Sequence, residues 1–230
     1  MSRSPLPVLI ALLAAVFLVR PADAAPPPSD RIGVARSGRV AGHGELGMEL
    51  GLGWWEGPRS PFRFKAGMGR FEHRLAMDMA GYGAGAPGLA LESKLALVEG
   101  KHGALAPIVM TTIPMAGEIW RGQLGMLGLL ESSGGVALRG DLALQLDGYG
   151  DFMLPVALLV DVPVSQRWAL VMDTSAASVA PSPHGFLVAL GTAWRPTDIL
   201  TADARIGWDI DAGSPMATIG LATSLGKVRR

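Results

Sequence analysis

Arg139 and Asp141 stand two residues apart in the stretch VALRGDLALQLDGYGD (136–151), and the same spacing recurs at Glu92 and Lys94 and at Asp203 and Arg205. Two residues is the period of a β-strand, so each pair lies on one face of its strand, with both signs of charge side by side. Side chains in that arrangement can line an aqueous path of mixed potential for small solutes, or they can neutralise one another and close it. By parity Arg74, Asp78, Gln145, Asp173 and Asp209 fall on the corresponding face of their own segments. Neither catalysis nor metal binding is indicated. His43, His73, His102 and His184 are scattered, with no i, i+4 pair or adjoining carboxylates, and the chain has no Cys. The residues two positions beyond these histidines are Glu45, Leu75, Ala104 and Phe186, so an H-x-S pairing of base and nucleophile is missing. GAGAPG (83–88) has the spacing of a phosphate-cradling loop, but Pro87 and the strand pattern after it deny the helix such a loop requires. The expectation is no catalytic residue, no metal and no cofactor.

The elements that position these charges are strands. In the quoted stretch Val136, Leu138, Leu142, Leu144 and Leu146 alternate with Ala137, Arg139, Asp141, Ala143, Gln145 and Asp147. About twelve segments show this period: 45–54, 62–69, 72–79, 89–98, 104–113, 122–130, 136–147, 152–162, 167–174, 186–194, 200–209 and 216–225. Segments 104–113 and 122–130 carry the weakest signal, because their apolar residues are nearly continuous. Past residue 24 there is no cap followed by a 3.6-residue apolar stripe, and Gly, 31 in all, is scattered through the segments. The fold class is all-β.

Residues 1–24 read as an export signal: Arg3, then the apolar run PLPVLIALLAAVFLV (5–19), then the small-x-small site Ala22-Asp23-Ala24. Residues 25–44 are rich in Pro, Gly and Arg and read as a flexible periplasmic leader, with the barrel over 45–226. Without Arg3, Arg20 and Asp23, 20 basic and 20 acidic residues become 18 and 19, a net charge of about −1, which argues against a nucleic-acid partner. Hydrophobic residues are 49% and charged residues 17%, yet no later segment is an apolar run long enough for a membrane helix.

Alternation alone does not say which face meets water. Leucines could line the core of a soluble periplasmic barrel or sandwich that binds an apolar ligand, or they could face lipid. Three features favour lipid. The turns at 69–71, 99–101, 131–134, 163–166 and 195–198 are short, while the intervening loops at 55–61, 80–88, 114–121, 148–151, 175–185 and 210–215 are mostly longer. Aromatic residues gather at strand ends, where Trp54, Trp55, Phe71, Tyr82, Trp120, Tyr149, Trp168, Trp194 and Trp208 would form interfacial girdles. An outward charge near a bilayer midplane would cost about 2–4 kcal/mol, which directs the charged face inward. The chain therefore reads as a closed antiparallel transmembrane β-barrel of the cell outer membrane. Its expected partners are outer-membrane lipid, the barrel-assembly machinery and a small-molecule solute passing passively through it. A barrel hydrolase acting on lipids, with a Ser and a His paired in space, is the further alternative.

Particular runs also carry a family resemblance: GRFEHRLAMD (69–78), GLALESKLALVEG (88–100), PIVMTTIPMAG (107–117), VPVSQRWALVMD (162–173) and GTAWRPTDILTADARIGWDI (191–210). Together they resemble the outer-membrane transporter-like barrels named after the meta pathway of phenol degradation. Val164-Ser165-Gln166-Arg167-Trp168 and Arg195-Pro196-Thr197-Asp198 stand where that family has its turns, and Ile113-Pro114-Met115-Ala116-Gly117 where it has a short strand end. The resemblance spans about residues 44–225. It implies a barrel associated with uptake of small, often aromatic or hydrophobic compounds, and it implies no residue-level site.

Overall fold

The computed structural model describes residues 36–54, 58–78, 88–114, 120–179 and 183–227. Among them twelve antiparallel strands form a closed barrel: β1 Glu45–Trp54, β2 Pro61–Met68, β3 Phe71–Asp78, β4 Gly88–Leu95, β5 Gly103–Pro114, β6 Arg121–Glu131, β7 Ala137–Asp147, β8 Phe152–Pro163, β9 Trp168–Val179, β10 Pro183–Thr197, β11 Leu200–Asp209 and β12 Ser214–Lys227. Each strand pairs with its neighbours in the chain, and β12 pairs back onto β1 from Glu45↔Lys227 to Trp54↔Ala217. Two-residue strands at Pro58–Arg59 and Val98–Glu99 add to the rims on β1 and β5. Closure leaves no unpaired sheet edge, the condition a β-structure must meet to cross lipid. Among the described residues no helix is long and apolar enough to do so.

The two faces of β7 show the direction of the wall. Leu142 and Leu144 are 51% and 49% exposed on the outside, whereas Arg139 and Asp141 are 1% and 8% exposed on the inside. The same sense holds around the barrel, with Leu50, Leu91, Leu124, Leu158, Leu170, Leu190, Ile206 and Leu221 all exposed. The leucine face is thus no core.

The inner face is not uniformly polar. Ile108 on β5, Leu127 and Leu129 on β6, Leu159 on β8, Val171 on β9 and Leu187 on β10 are buried inside the barrel. This explains why β5 and β6 lack clean alternation: both of their faces are apolar, one toward the outside and one toward the filled interior. Strand ends also run past the apolar signal. β10 covers fifteen residues and β12 fourteen, because ladder bonding continues through small and polar residues that carry no alternation. At β4 the opposite happens, and the strand stops at Leu95 before the short Val98–Glu99 segment begins.

Residues 36–44 are folded into the barrel at the short-turn end, although the sequence places them in a flexible leader. Residues 1–35, the rest of that leader and the export signal, lie outside the described residues. Gly38 packs on β5 and β6 so closely that a Cβ there would stand 2.7 Å from the Ala104 carbonyl oxygen and 2.9 Å from that of Leu127. Gly67 provides the floor under the same segment: a Cβ at Gly67 would lie 2.1 Å from the Gly42 oxygen. Gly44 N–H donates to the Gly67 carbonyl at 2.9 Å, which ties the segment to β2 just before β1 begins.

Gly191 has a similar purpose on β10. A Cβ there would sit 2.1 Å from Arg205 Cγ, so only glycine lets Arg205 of β11 pass over β10 to reach Asp173 on β9. Gly191→Leu is expected to displace Arg205 and to destabilise the barrel by about 1–3 kcal/mol, the usual range for overpacking a filled interior. Urea unfolding in lipid vesicles measures this, and an unchanged midpoint would contradict it.

Candidate functional site: the charged interior

Two charge networks occupy the interior. On β1 to β4, Glu49 faces Lys65 Nζ at 3.4 Å and an Arg63 nitrogen at 3.8 Å. Glu72 pairs with Arg74 and with Lys94 Nζ at 3.2 Å, and Arg74 reaches Glu92 at 3.9 Å. On the opposite wall Arg139 of β7 holds Asp161 of β8 at 2.9 Å, and Arg205 of β11 holds Asp173 of β9. Apart from the half-buried Arg63 and Lys65 these groups are almost wholly buried, so their desolvation is offset only by good pairing.

The N-terminal segment joins the networks. Arg36 Nε donates to Asp141 Oδ2 at 2.7 Å, and its guanidinium lies 3.7 Å from Glu92, which bridges β7 and β4 across the interior. Lys94 Nζ donates to the Ser37 carbonyl at 3.2 Å, and Ala41 N–H donates to Glu72 Oε2 at 2.6 Å. Nearer the rim Arg39 pairs with Glu131 at 2.9 Å and donates to the carbonyls of Gly100 and Lys101. A cavity of about 340 Å³ lies between this segment and the wall, lined by Arg39, Glu49, Lys65, Arg139, Arg195 and Thr201 among others.

The residues singled out by parity are distributed as follows. Arg74, Glu92, Lys94, Arg139, Asp141, Asp173, Asp203 and Arg205 are buried on the inner face. Gln145 is half-buried there, with its amide toward Met153 Sδ. Asp209 is buried but occupied with structure, since its Oδ1 accepts from the amides of Asp211 and Ala212 in the turn. Asp147 does similar work, accepting from the amides of Tyr149 and Asp151. The Asp78 side chain lies outside the described residues. Parity reasoning passed over Arg36, Glu49, Glu72 and Asp161. Glu49 and Glu72 could have been found, because they alternate correctly with Leu50 and Leu75.

Aromatic residues stand at both ends of the wall and face outward. Phe71, Trp168 and Trp194 lie at the short-turn end, where the two indoles are stacked at 5.8 Å; Trp54, Trp120, Tyr149 and Trp208 lie at the other. Trp55 and Tyr82 are outside the described residues. The described His, Asp and Glu residues form no group of three able to hold a metal ion. One pairing that local spacing does not reveal is His73 with Ser93, directly opposite on β3 and β4, with Nδ1 and Oγ 2.9 Å apart on the outer face.

No family model matches the chain, and no curated protein matches its sequence. Solved structures do. A KdgM porin in complex with disordered oligogalacturonate superposes with a TM-score of 0.67 at 6% identity, over 78% of this chain and 99% of the porin. The NanC porin gives 0.65 at 10% identity over 78% of this chain and all of its own. An outer-membrane channel from Pseudomonas putida F1 gives 0.60 at 9% identity, covering 90% of this chain and 100% of that one. The fold is that of outer-membrane porin-like barrels. At such identities the likeness concerns architecture, and the narrower name suggested by the phenol-degradation resemblance has no family match behind it.

Proposed function

We propose that this chain is an outer-membrane barrel that passes small solutes without energy input, hydrophobic and aromatic ones included. The observation that carries the reading is the two-sided wall. Apolar side chains cover the outside and mutually compensated charges the inside, and the interior also has separate apolar patches, one around Leu159 and Val171 and one around Leu129. A solute with an apolar body and one polar group meets both chemistries there. Displaced charges keep partners within their own network while it passes, which limits the cost of opening the path. The short-turn end, where both termini of the barrel meet, is the periplasmic end in this reading. Outer-membrane lipid and the barrel-assembly machinery are then the partners of the outer surface.

Membrane fractionation with a heat-modifiability gel tests the location, and swelling of protein-containing liposomes tests the passage. The expected results are an unheated band that runs faster than the heated one, and faster swelling with a small aromatic acid than with a disaccharide. A soluble protein without a mobility shift would overturn the reading, as would swelling equal to that of protein-free liposomes.

A further inference from the structure

His73 is an ionisable residue on a surface otherwise covered by Phe71, Leu75, Leu91 and Val109. It lies two residues from the β2–β3 turn. With about 3.3 Å of rise per residue and a tilted strand, it sits only a few ångströms below the barrel end, at headgroup depth. Its ring stacks on Phe71, with centroids 6.2 Å apart and planes 6° from parallel. Its Nδ1 and the Ser93 Oγ lie 2.9 Å apart, and in the tautomer in which the hydroxyl donates to Nδ1 the ring proton is on Nε2, the nitrogen left to donate to a ligand. At the adjoining turn Arg70 uses one guanidinium nitrogen on the Leu97 carbonyl at 3.0 Å, and the rest of this exposed side chain has further donors.

We infer that His73, Ser93 and Arg70 form an outward-facing site for the phosphate and glycerol of one phospholipid in the leaflet at the short-turn end. The inference rests on the membrane reading above. Two donors of imidazole and guanidinium type suit a phosphodiester, and Phe71 with the neighbouring leucines suits the acyl chains below it. Hydrolysis is the weaker use of the Ser–His pair. The backbone amides of β3 and β4 beside it are engaged in the strand ladder, so none is aimed at a developing oxyanion.

Native mass spectrometry of the full chain, extracted in detergent and titrated with dioleoyl-phosphatidylglycerol or with an uncharged diglucosyl diacylglycerol, tests the proposal. The wild type should retain one more phosphatidylglycerol than diglucosyl lipid per barrel. His73→Leu, Ser93→Ala and Arg70→Gln should each lower that retention by about three- to tenfold, the value of one hydrogen bond. Leucine at position 73 matches the lipid face, so the heat-modified gel shift should persist in that variant. Equal retention by wild type and variants overturns the proposal, as does equal retention of the two lipids. Release of fatty acid that Ser93→Ala abolishes overturns it in favour of hydrolysis. If the wild type fractionates with membranes and shows the gel shift but lacks the lipid preference, the site fails and the membrane reading stands.

Discussion

Arg139→Leu is expected to lower the stability of the folded barrel by about 3–5 kcal/mol, the cost of removing one partner from a buried ion pair. Arg139 is 1% exposed and bonds Asp161, itself 1% exposed, at 2.9 Å. Leucine in that place strips the carboxylate of its guanidinium while Leu159 and Val171 keep water away from it. The double change Arg139→Leu with Asp161→Val removes both charges and should recover most of the loss, since a buried pair and a well-packed apolar pair are often of similar stability. Unfolding midpoints in urea for vesicle-bound protein give both numbers. A single variant less than about 1 kcal/mol below wild type would show that the interior is wetter than the side-chain burial indicates.

Arg36→Glu is expected to expel residues 36–44 from the lumen and widen a narrow path into a larger, cation-preferring pore. At about 4 Å, with an effective dielectric constant near 20, each opposite-charge contact of Arg36 is attractive by roughly 4 kcal/mol before desolvation. Glutamate reverses the sign against both Asp141 and Glu92. A reversal of that size moves a two-state equilibrium by orders of magnitude. The preference follows from the wall itself. Glu49, Glu72, Glu92, Asp141, Asp161, Asp173, Asp203 and Asp209 are buried, against the strand-borne inward cations Arg63, Lys65, Arg74, Lys94, Arg139, Arg195 and Arg205, a small acidic excess on the wall, and Arg36 is the buried cation that the segment adds. Single-channel recording across a KCl gradient reads conductance and reversal potential together. Conductance equal to wild type would refute the narrowing role, and an anion-selective reversal potential would refute the charge argument.

How much of this was legible in the sequence depended on how differently the outer and inner sides of each strand are composed. On β7 the outward leucines and inward Arg139 and Asp141 made strand, face and charge readable at once. β5 and β6 were harder, because Ile108, Leu127 and Leu129 make their inner faces apolar too and erase the alternation. Asp161 was hidden in the run LLVDV, where apolar neighbours on both faces disguise the parity of a single carboxylate. Arg36 and Ser37 belong to a segment without periodicity, and its place inside the barrel comes from ion pairs to residues 56 and 105 positions away. Cross-strand meetings such as His73 with Ser93 depend on register, which no local spacing records.

The bond between β12 and β1 sets an order of events. The wall is a ring with its seam between Glu45–Trp54 and Ser214–Lys227, and residues 36–44 lead directly into the first of these strands. Contacts that join residue 45 to residue 227 cannot form until nearly the whole chain has been made and the other strands stand side by side. Arg36 can find Glu92 and Asp141 while that seam is open, whereas once it has shut the segment can enter only through the mouth of a finished ring. Where the segment is in place as the seam fastens, one late step gives both a continuous wall and a filled interior.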